Sequence, residues 1–253
     1  SDLIYLSGWE YQNSILLITP QQENSTQAEV TLFVTERDPK KEVWTGPRKG
    51  IQEALALPGI DQAQSYKSFF NVFGDLIEGY DRLVVSFGNT AEFQSEFIEN
   101  IEKLKYHPKI YQEASSLLQF HRLVKSDAEI SILKKAIEIT GESLTDAIQL
   151  IPTLNFEYEV QAEIEYGFKK RGALRLGFPS IVGAGQNATF LHYEDNRGAL
   201  ISGEMILMDV GAEWDYYSAD ISRTVPINCK FSPEQSLIYQ LVLDAQLAGI
   251  EVV

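Results

Sequence analysis

The sequence predicts a protein of the α+β class, in which an α/β amino-terminal domain precedes a domain of two helices followed by antiparallel strands. Three observations predict this architecture. Before residue 118, short apolar and β-branched runs alternate with helix-like stretches. Between 126 and 171, apolar residues recur three and four positions apart, as on one helix face. From 180 to 225, strand-like runs are broken by glycine and asparagine. We therefore predict two domains, 1–118 and 119–253.

The elements of the first domain follow from this alternation. Strands are predicted at 14–19, 30–34 and 82–87, where β-branched and apolar residues cluster. Helices are predicted at 49–57, 65–78 and 91–104. A repeated order of strand and helix is typical of an α/β layer.

The second domain is predicted to begin with a capped helix. Ser126 is followed three residues later by Glu129, which is the pattern of a capping box. A second helix is predicted at 155–171, and the strand-like run follows it. Ser232 before Pro233 then predicts a new helix, because proline suits the first helical position.

The charge balance excludes several classes of partner. Asp and Glu total 36 against 21 Lys and Arg, which gives a formal net charge of −15. Because such a surface repels phosphate groups, we expect neither a nucleic-acid partner nor a membrane partner. No apolar run approaches the roughly 18 residues of a membrane-spanning helix. The amino terminus also lacks the basic and apolar regions of a signal peptide.

Cysteine usage bears on the compartment. Cys229 is the only cysteine, so an internal disulfide and the cysteine-rich zinc modules are excluded. A chain without disulfides suits a reducing compartment, and we predict a cytoplasmic protein.

Two aspartates are the strongest candidates for chemistry. Asp209 and Asp220 lie in two apolar segments that flank a polar turn around Trp214-Asp215. If these two turn residues form the loop of a hairpin, Asp209 and Asp220 face each other directly across the strands. Two like charges among apolar neighbours are costly unless a cation lies between them. Paired carboxylates can bridge two metal ions, and oxygen ligands favour Mn²⁺ or Mg²⁺. The alternative is a salt-bridged hairpin in which Asp220 pairs with Arg223.

His192 is the histidine with the most suggestive context. It follows a glycine-rich stretch at 183–187 and lies among apolar neighbours. A histidine in such a place is either a hydrogen-bonded core residue or a site residue, and both interpretations stay open. His107 and His121 lack any such context. The serine nucleophile elbow, the phosphate loop and the His-Glu-x-x-His helix are absent from the sequence.

The combined pattern resembles the pita-bread metallopeptidase family, specifically aminopeptidase P. The matching segments of the second half are Pro179-Ser180-Ile181-Val182-Gly183-Ala184-Gly185-Gln186-Asn187, Leu191-His192-Tyr193, Met208-Asp209-Val210-Gly211-Ala212 and Tyr217-Ser218-Ala219-Asp220-Ile221-Ser222-Arg223-Thr224. The matching segments of the first half are Tyr5-Leu6-Ser7-Gly8-Trp9 and Val43-Trp44-Thr45-Gly46-Pro47-Arg48. The spacing of the three candidate site residues, 17 from His192 to Asp209 and 11 from there to Asp220, is similar to that of the family.

The resemblance implies a fold, an activity and roles for particular residues. It implies a pita-bread catalytic domain behind an α/β amino-terminal domain, with two divalent ions, usually Mn²⁺, held in part by Asp209 and Asp220. A metal-activated water would remove the first residue of a peptide whose second residue is proline. His192 would hydrogen-bond the substrate. Phe178 stands at a pocket position that is often tyrosine, and Trp44 would face the pocket of a neighbouring subunit in a homo-oligomer.

The sequence also departs from the family. The remaining ligands, a histidine and two glutamates, come from a later stretch in the family, and no histidine follows His192 here. We therefore expect a chain truncated at both ends and inactive by itself. Asn228-Cys229 replaces the usual Asn-Gly of a turn. Two alternatives remain open: a prolidase that cleaves Xaa-Pro dipeptides, and a non-peptidase relative, either a metal-free amidinohydrolase or a binding protein.

Overall fold

The computed structural model describes residues 2–20, 27–86, 91–105 and 107–252. The chain divides into two compact units, Ser1–Val124 and Lys125–Val253, and each is described by itself. No helix among the described residues is long and apolar enough to cross a membrane.

The first unit alternates helices and strands. Its elements are α1 (Asp2–Ser7), β1 (Ile15–Pro20), β2 (Ala28–Val34), α2 (Pro39–Thr45), α3 (Ile51–Leu55), β3 (Gln62–Ser65), α4 (Phe69–Ile77), β4 (Arg82–Val85), α5 (Ala91–Glu102), β5 (Ile110–Glu113) and α6 (Ser115–Leu123). Strand β2 is central in a three-stranded sheet, antiparallel to β1 and parallel to β3. Strands β4 and β5 form a parallel pair. The predicted domain division between residues 118 and 119 falls inside helix α6. The exact position of this division stays a prediction.

Several boundaries in this unit differ from the sequence prediction. The predicted helix 65–78 begins at Phe69, after a 3₁₀ turn at Tyr66–Ser68. Strand β3 was not predicted because its four residues are polar or small, and pairing with β2 holds it in place. The predicted strand 82–87 ends at Val85, and residue 87 lies outside the described residues.

The second unit places helices against antiparallel strands. Its elements are α7 (Asp127–Leu150), α8 (Glu157–Lys170), β6 (Arg175–Leu176), β7 (Ile181–Ala184), β8 (Met205–Val210), β9 (Ala212–Trp214), β10 (Tyr217–Ser218), β11 (Ile221–Pro226) and α9 (Pro233–Glu251). The strands form two antiparallel sheets, ordered β11-β8-β7 and β10-β9-β6. The mixed helix and strand architecture predicted from the sequence is confirmed.

The capping box predicts the start of α7 correctly. The Ser126 hydroxyl accepts a hydrogen bond from the Glu129 amide, and the Glu129 carboxylate accepts one from the Ser126 amide. Further along α7, the buried Thr140 hydroxyl accepts a hydrogen bond from the Ala212 amide at 3.0 Å. Helix α7 is thereby tied to strand β9, directly beside the hairpin that carries the two aspartates.

The core of the unit lies between the helices and one face of the sheet. On β8, Ile206, Met208 and Val210 are fully buried in the same apolar cluster as residues of α7 and α8. Side chains alternate across a strand, so Asp209 lies on the opposite face, away from this core. The strand-like run predicted from 180 to 225 is interrupted, because a 3₁₀ helix at Gly185–Thr189 and irregular chain follow β7.

Candidate metal centre

The two aspartates lie on a hairpin with a two-residue turn. Asp215 and Tyr216 form this turn with φ values of 46° and 69°, and Trp214 pairs with Tyr217 on either side of it. Positive φ at both central residues is the requirement of a type I′ turn, whose twist matches that of the flanking strands. The predicted loop, Trp214-Asp215, is therefore wrong by one residue.

This shift changes the partner of Asp209. Asp209 lies opposite Ser222 rather than Asp220, and the Ser222 hydroxyl donates to Asp209 Oδ1 at 2.9 Å. The predicted direct opposition of the two aspartates is therefore wrong. Asp220 precedes Ser222 by two residues, so the two carboxylates remain on one face of the sheet, as diagonal neighbours.

The two carboxyl groups are nevertheless close enough for one to perturb the pKa of the other. The pKa of Asp220 is raised, first by partial desolvation, then by the charge of Asp209 and by a side-chain hydrogen bond with it. Asp209 is half-buried and Asp220 is exposed on the open side of the sheet. Two acidic groups this close bind a proton or a cation more tightly than either group alone.

The salt-bridged alternative is not what the structure shows. Arg223 donates to the backbone carbonyl of Ser222 at 2.7 Å. Within the described ranges, neither Asp209 nor Asp220 forms an ion pair with a lysine or arginine. No basic side chain among the described residues therefore forms an ion pair that would compensate the negative charge of the two aspartates.

Gly211 sets the close approach of the hairpin strands beside the pair. A Cβ atom at this position would lie 1.8 Å from the Ala219 carbonyl oxygen and 2.9 Å from Cε1 of Phe178. The Gly211 carbonyl also accepts a hydrogen bond from the Gly177 amide at 2.8 Å. Phe178, a predicted substrate-binding residue, therefore lies against the hairpin at Gly211, which follows Asp209 by two residues.

The donor set fits part of a site for a hard divalent cation. Two carboxylates on one face, uncompensated by a basic side chain, offer the oxygen ligands that Mn²⁺ and Mg²⁺ prefer. Among the residues the structure describes, no group of three His, Cys, Asp or Glu side chains converges as a metal site. Asp209 and Asp220 therefore supply only part of a coordination shell.

His192, the predicted catalytic residue, lies in the segment between β7 and β8. Its side chain is exposed, and its ring makes no hydrogen bond to any described residue. It is therefore not the hydrogen-bonded core histidine of the alternative interpretation. No hydrogen bond or ion pair joins it to Asp209 or Asp220 in the described part of the chain, so its role stays a prediction.

Buried polar residues that the sequence did not single out hold this segment. Asn196 is 1% exposed and has a φ of 49°. Its side chain accepts from the Val182 amide and donates to Gln161 and to the Ser180 carbonyl. The sequence signal was the Asn-Arg-Gly turn, which indicated only a chain reversal. A buried carboxylate, Glu157, holds the same segment from α8.

Trp44, the other predicted substrate-binding residue, lies in the first unit near the end of α2. Its side chain is 89% exposed, and neighbouring Val43 is 80% exposed. Two large apolar side chains open to solvent on one short helix are compatible with a contact to another molecule.

Fold and site define a candidate metalloprotein of mixed α and β structure. Comparison with known proteins gives its family. Residues 131–253 match the model of metallopeptidase family M24, and residues 1–85 match that of the aminopeptidase P N-terminal domain. The Xaa-Pro aminopeptidase of Haemophilus influenzae is 34% identical over 98% of this chain and 56% of its own length. That of Escherichia coli is 31% identical over 97% of this chain and 57% of its own length.

Solved structures agree with this similarity. An aminopeptidase of Pseudomonas aeruginosa superimposes with a TM-score of 0.89 at 35% identity, covering 98% of this chain and 57% of that one. Aminopeptidase P of Escherichia coli in a low-pH form superimposes with a TM-score of 0.90 at 30% identity. The match covers 96% of this chain and 56% of that one. The chain belongs to the aminopeptidase P family of pita-bread metallopeptidases, and it spans a little over half the length of the relatives it matches.

Proposed function

We propose that the protein is a metal-dependent Xaa-Pro aminopeptidase, which removes the first residue of peptides that have proline in second place. The observation that carries the proposal is the uncompensated Asp209–Asp220 pair on the open face of the hairpin. Relatives named Xaa-Pro aminopeptidase and the match of residues 1–85 to the aminopeptidase P N-terminal domain support it.

The proposed cofactor is a pair of divalent ions, preferentially Mn²⁺. Asp209 and Asp220 would hold them in part, and the Ser222 hydroxyl fixes one oxygen of Asp209 in place. When bound, such ions polarise the scissile carbonyl and lower the pKa of the attacking water.

The other residues of the chain would act on the substrate. Because His192 is exposed and its ring is free of hydrogen bonds within the described residues, it is available to donate one to the substrate carbonyl. The Phe178 ring, packed against Gly211, would form an apolar wall near the proline. It lacks the hydroxyl that tyrosine would offer there, so it would contribute shape rather than a hydrogen bond.

Proline is a chemically distinct second residue. Its peptide nitrogen carries no hydrogen, so an enzyme that needs this N–H as a donor handles the bond poorly. Assays of the full-length protein with Mn²⁺ on Xaa-Pro-Xaa tripeptides and Xaa-Pro dipeptides test the proposal. We expect cleavage of the tripeptides. Activity confined to dipeptides would identify a prolidase instead, and no hydrolysis of either would remove the peptidase assignment.

The proposal extends to assembly and location. Exposed Trp44 would complete the substrate pocket of a neighbouring subunit in a homo-oligomer. A cytoplasmic location is proposed from the single, exposed cysteine, Cys229. The 253 residues alone are expected to be inactive, because two carboxylates are too few ligands to hold two ions tightly.

A further inference from the structure

A buried carboxylate lies at the start of helix α8. Glu157 is the first residue of the helix, and its side chain is 0% exposed. Among the described residues it forms no ion pair, so no basic side chain balances it. Burial of a charge is costly unless hydrogen bonds and dipoles compensate it, and the helix N-terminus provides only part of that compensation.

Four hydrogen bonds from one chain segment satisfy Glu157. Oε1 accepts from the Ala184 amide at 2.7 Å and from the Asn187 side-chain amide at 2.9 Å. Oε2 accepts from the Tyr193 hydroxyl at 2.8 Å and from the Gly198 amide at 2.6 Å. Two backbone N–H groups and an amide NH₂ can only donate, so a carboxylate is the group that suits all four partners.

These partners flank His192 along the sequence. They lie at the beginning, in the middle and at the end of the segment 184–198, and Tyr193 is the residue directly after His192. Asn187 also donates to the Tyr193 hydroxyl at 3.0 Å, which closes a ring of hydrogen bonds around the carboxylate. A Cβ atom at Gly198 would lie 2.6 Å from Asn187 Nδ2 and 2.7 Å from Glu157 Oε1, so a larger residue there would push against the hydrogen-bonded groups.

We propose that Glu157 is a positioning residue that fixes segment 184–198 and thereby holds His192 in place to meet the substrate. His192 itself makes no hydrogen bond to the described residues, so the backbone on either side has to determine where its ring stands. This role of Glu157 rests on the proposed function, because it acts through a contact between His192 and the substrate.

Glu157→Gln in the full-length protein tests this role. Replacing either oxygen by NH₂ turns a donor toward the Gly198 or Ala184 amide, so the segment has to shift. A displacement of about 1 Å at a reacting group costs roughly 10²-fold in rate, and we expect a loss of that order in kcat with little change in KM. Glu163→Gln is the matched control: it removes the same charge from the same helix, and the Glu163 side chain makes no hydrogen bond to a described residue.

A double-mutant cycle separates positioning from simple stabilisation. With His192→Ala already present, Glu157→Gln should cost less than about threefold, because the residue through which it acts is gone. An equal loss in both backgrounds would show a merely structural role. Tyr193→Phe, which removes one donor and keeps the ring, provides a milder variant if Glu157→Gln does not fold, and a smaller loss of kcat with the same dependence on His192 is expected.

A readout independent of activity keeps the two proposals apart. The chain has three histidines, and His192 is the only one in the second unit. In NMR spectra of the imidazole groups, Glu157→Gln should shift or broaden the His192 signal and leave those of His107 and His121 unchanged. An unchanged His192 signal in a folded variant overturns the positioning role. Absence of peptidase activity in the unsubstituted protein would instead overturn the proposed function.

Discussion

Asp209 is paired across the hairpin with Ser222, whose hydroxyl donates to its Oδ1 at 2.9 Å, and Asp220, two residues before Ser222, is its diagonal neighbour on the same face. The register of the strands brings the two aspartates together. Within the described residues, no basic side chain forms an ion pair with either of them. A cation is the partner that such a pair lacks.

Removal of one charge should relieve the repulsion in metal-free protein. Because Asp209 raises the pKa of Asp220, Asp209→Asn should raise the melting temperature at pH 7 without metal. The same variant should lose the additional stabilisation that Mn²⁺ gives the unsubstituted full-length protein. Differential scanning calorimetry with and without Mn²⁺ measures both effects. Asp244→Asn on exposed helix α9 should change neither, and an Mn²⁺ effect that survives in Asp209→Asn would refute the assignment.

Gly211 should not tolerate a side chain. Gly211→Ala places Cβ against the Ala219 carbonyl, so we expect a loss of at least about 1–3 kcal/mol in the free energy of unfolding. Gly141→Ala in helix α7 is the control, since a Cβ atom there meets nothing within 4 Å. It should stabilise the protein by about 0.5–1 kcal/mol. Urea denaturation of both variants gives the comparison, and a neutral Gly211→Ala would mean that the strands approach less closely than described.

The bond between Glu129 and Tyr217 should produce a pH dependence. The Tyr217 hydroxyl, at 2.6 Å, and the Ser126 groups lower the pKa of Glu129 below its usual 4.5. A lowered pKa in the folded state contributes stability that is present above pH 4.5 and is lost as the pH falls through the folded value. Tyr217→Phe should therefore weaken this loss between about pH 5 and 3. Melting temperatures of the unsubstituted protein and of Tyr217→Phe across that pH range measure this loss of stability.

Tyr216→Phe is the control for this pH dependence. Its hydroxyl makes no hydrogen bond among the described residues, whereas its ring stacks with Arg175 and is retained. If Tyr216→Phe and Tyr217→Phe give the same profile, the link between α7 and β10 has no part in the acid sensitivity.

Replacement of Trp44 should weaken substrate binding and have little effect on the stability of the fold. Because its side chain is 89% exposed, Trp44→Ala should change the free energy of unfolding by less than about 0.5 kcal/mol. Trp9 is buried, with 2% of its surface exposed, so Trp9→Ala should lower the free energy of unfolding by about 3–5 kcal/mol. In the full-length protein, Trp44→Ala should raise KM for Xaa-Pro-Xaa tripeptides. An unchanged KM would remove Trp44 from the pocket.

Local signals in the sequence predicted much of the second unit. Ser126 with Glu129 and Ser232 with Pro233 marked helix starts, because a cap involves neighbours three residues apart or fewer. The common face of Asp209 and Asp220 also followed from the strand period of two. Their register did not, because Asp215-Tyr216 adopts positive φ without the glycine that usually identifies such a turn.

Glu157 could not be predicted from the sequence. Its partners lie 27 to 41 residues away, and no local pattern links a glutamate on a helix to amides that far along the chain. Strand β3 was missed for a related reason, since its polar residues become a strand only through pairing with β2. In both places tertiary contacts, rather than local propensity, determine the structure.

Anomalous diffraction from crystals of the full-length protein grown with Mn²⁺ tests the central claim most directly. We expect manganese peaks within bonding distance, about 2.0–2.3 Å, of carboxylate oxygens of both Asp209 and Asp220. Crystals of Asp209→Asn grown in the same way should lose or weaken these peaks. Well-ordered carboxylates without a manganese peak beside them, or with a lysine or arginine between them, would contradict it.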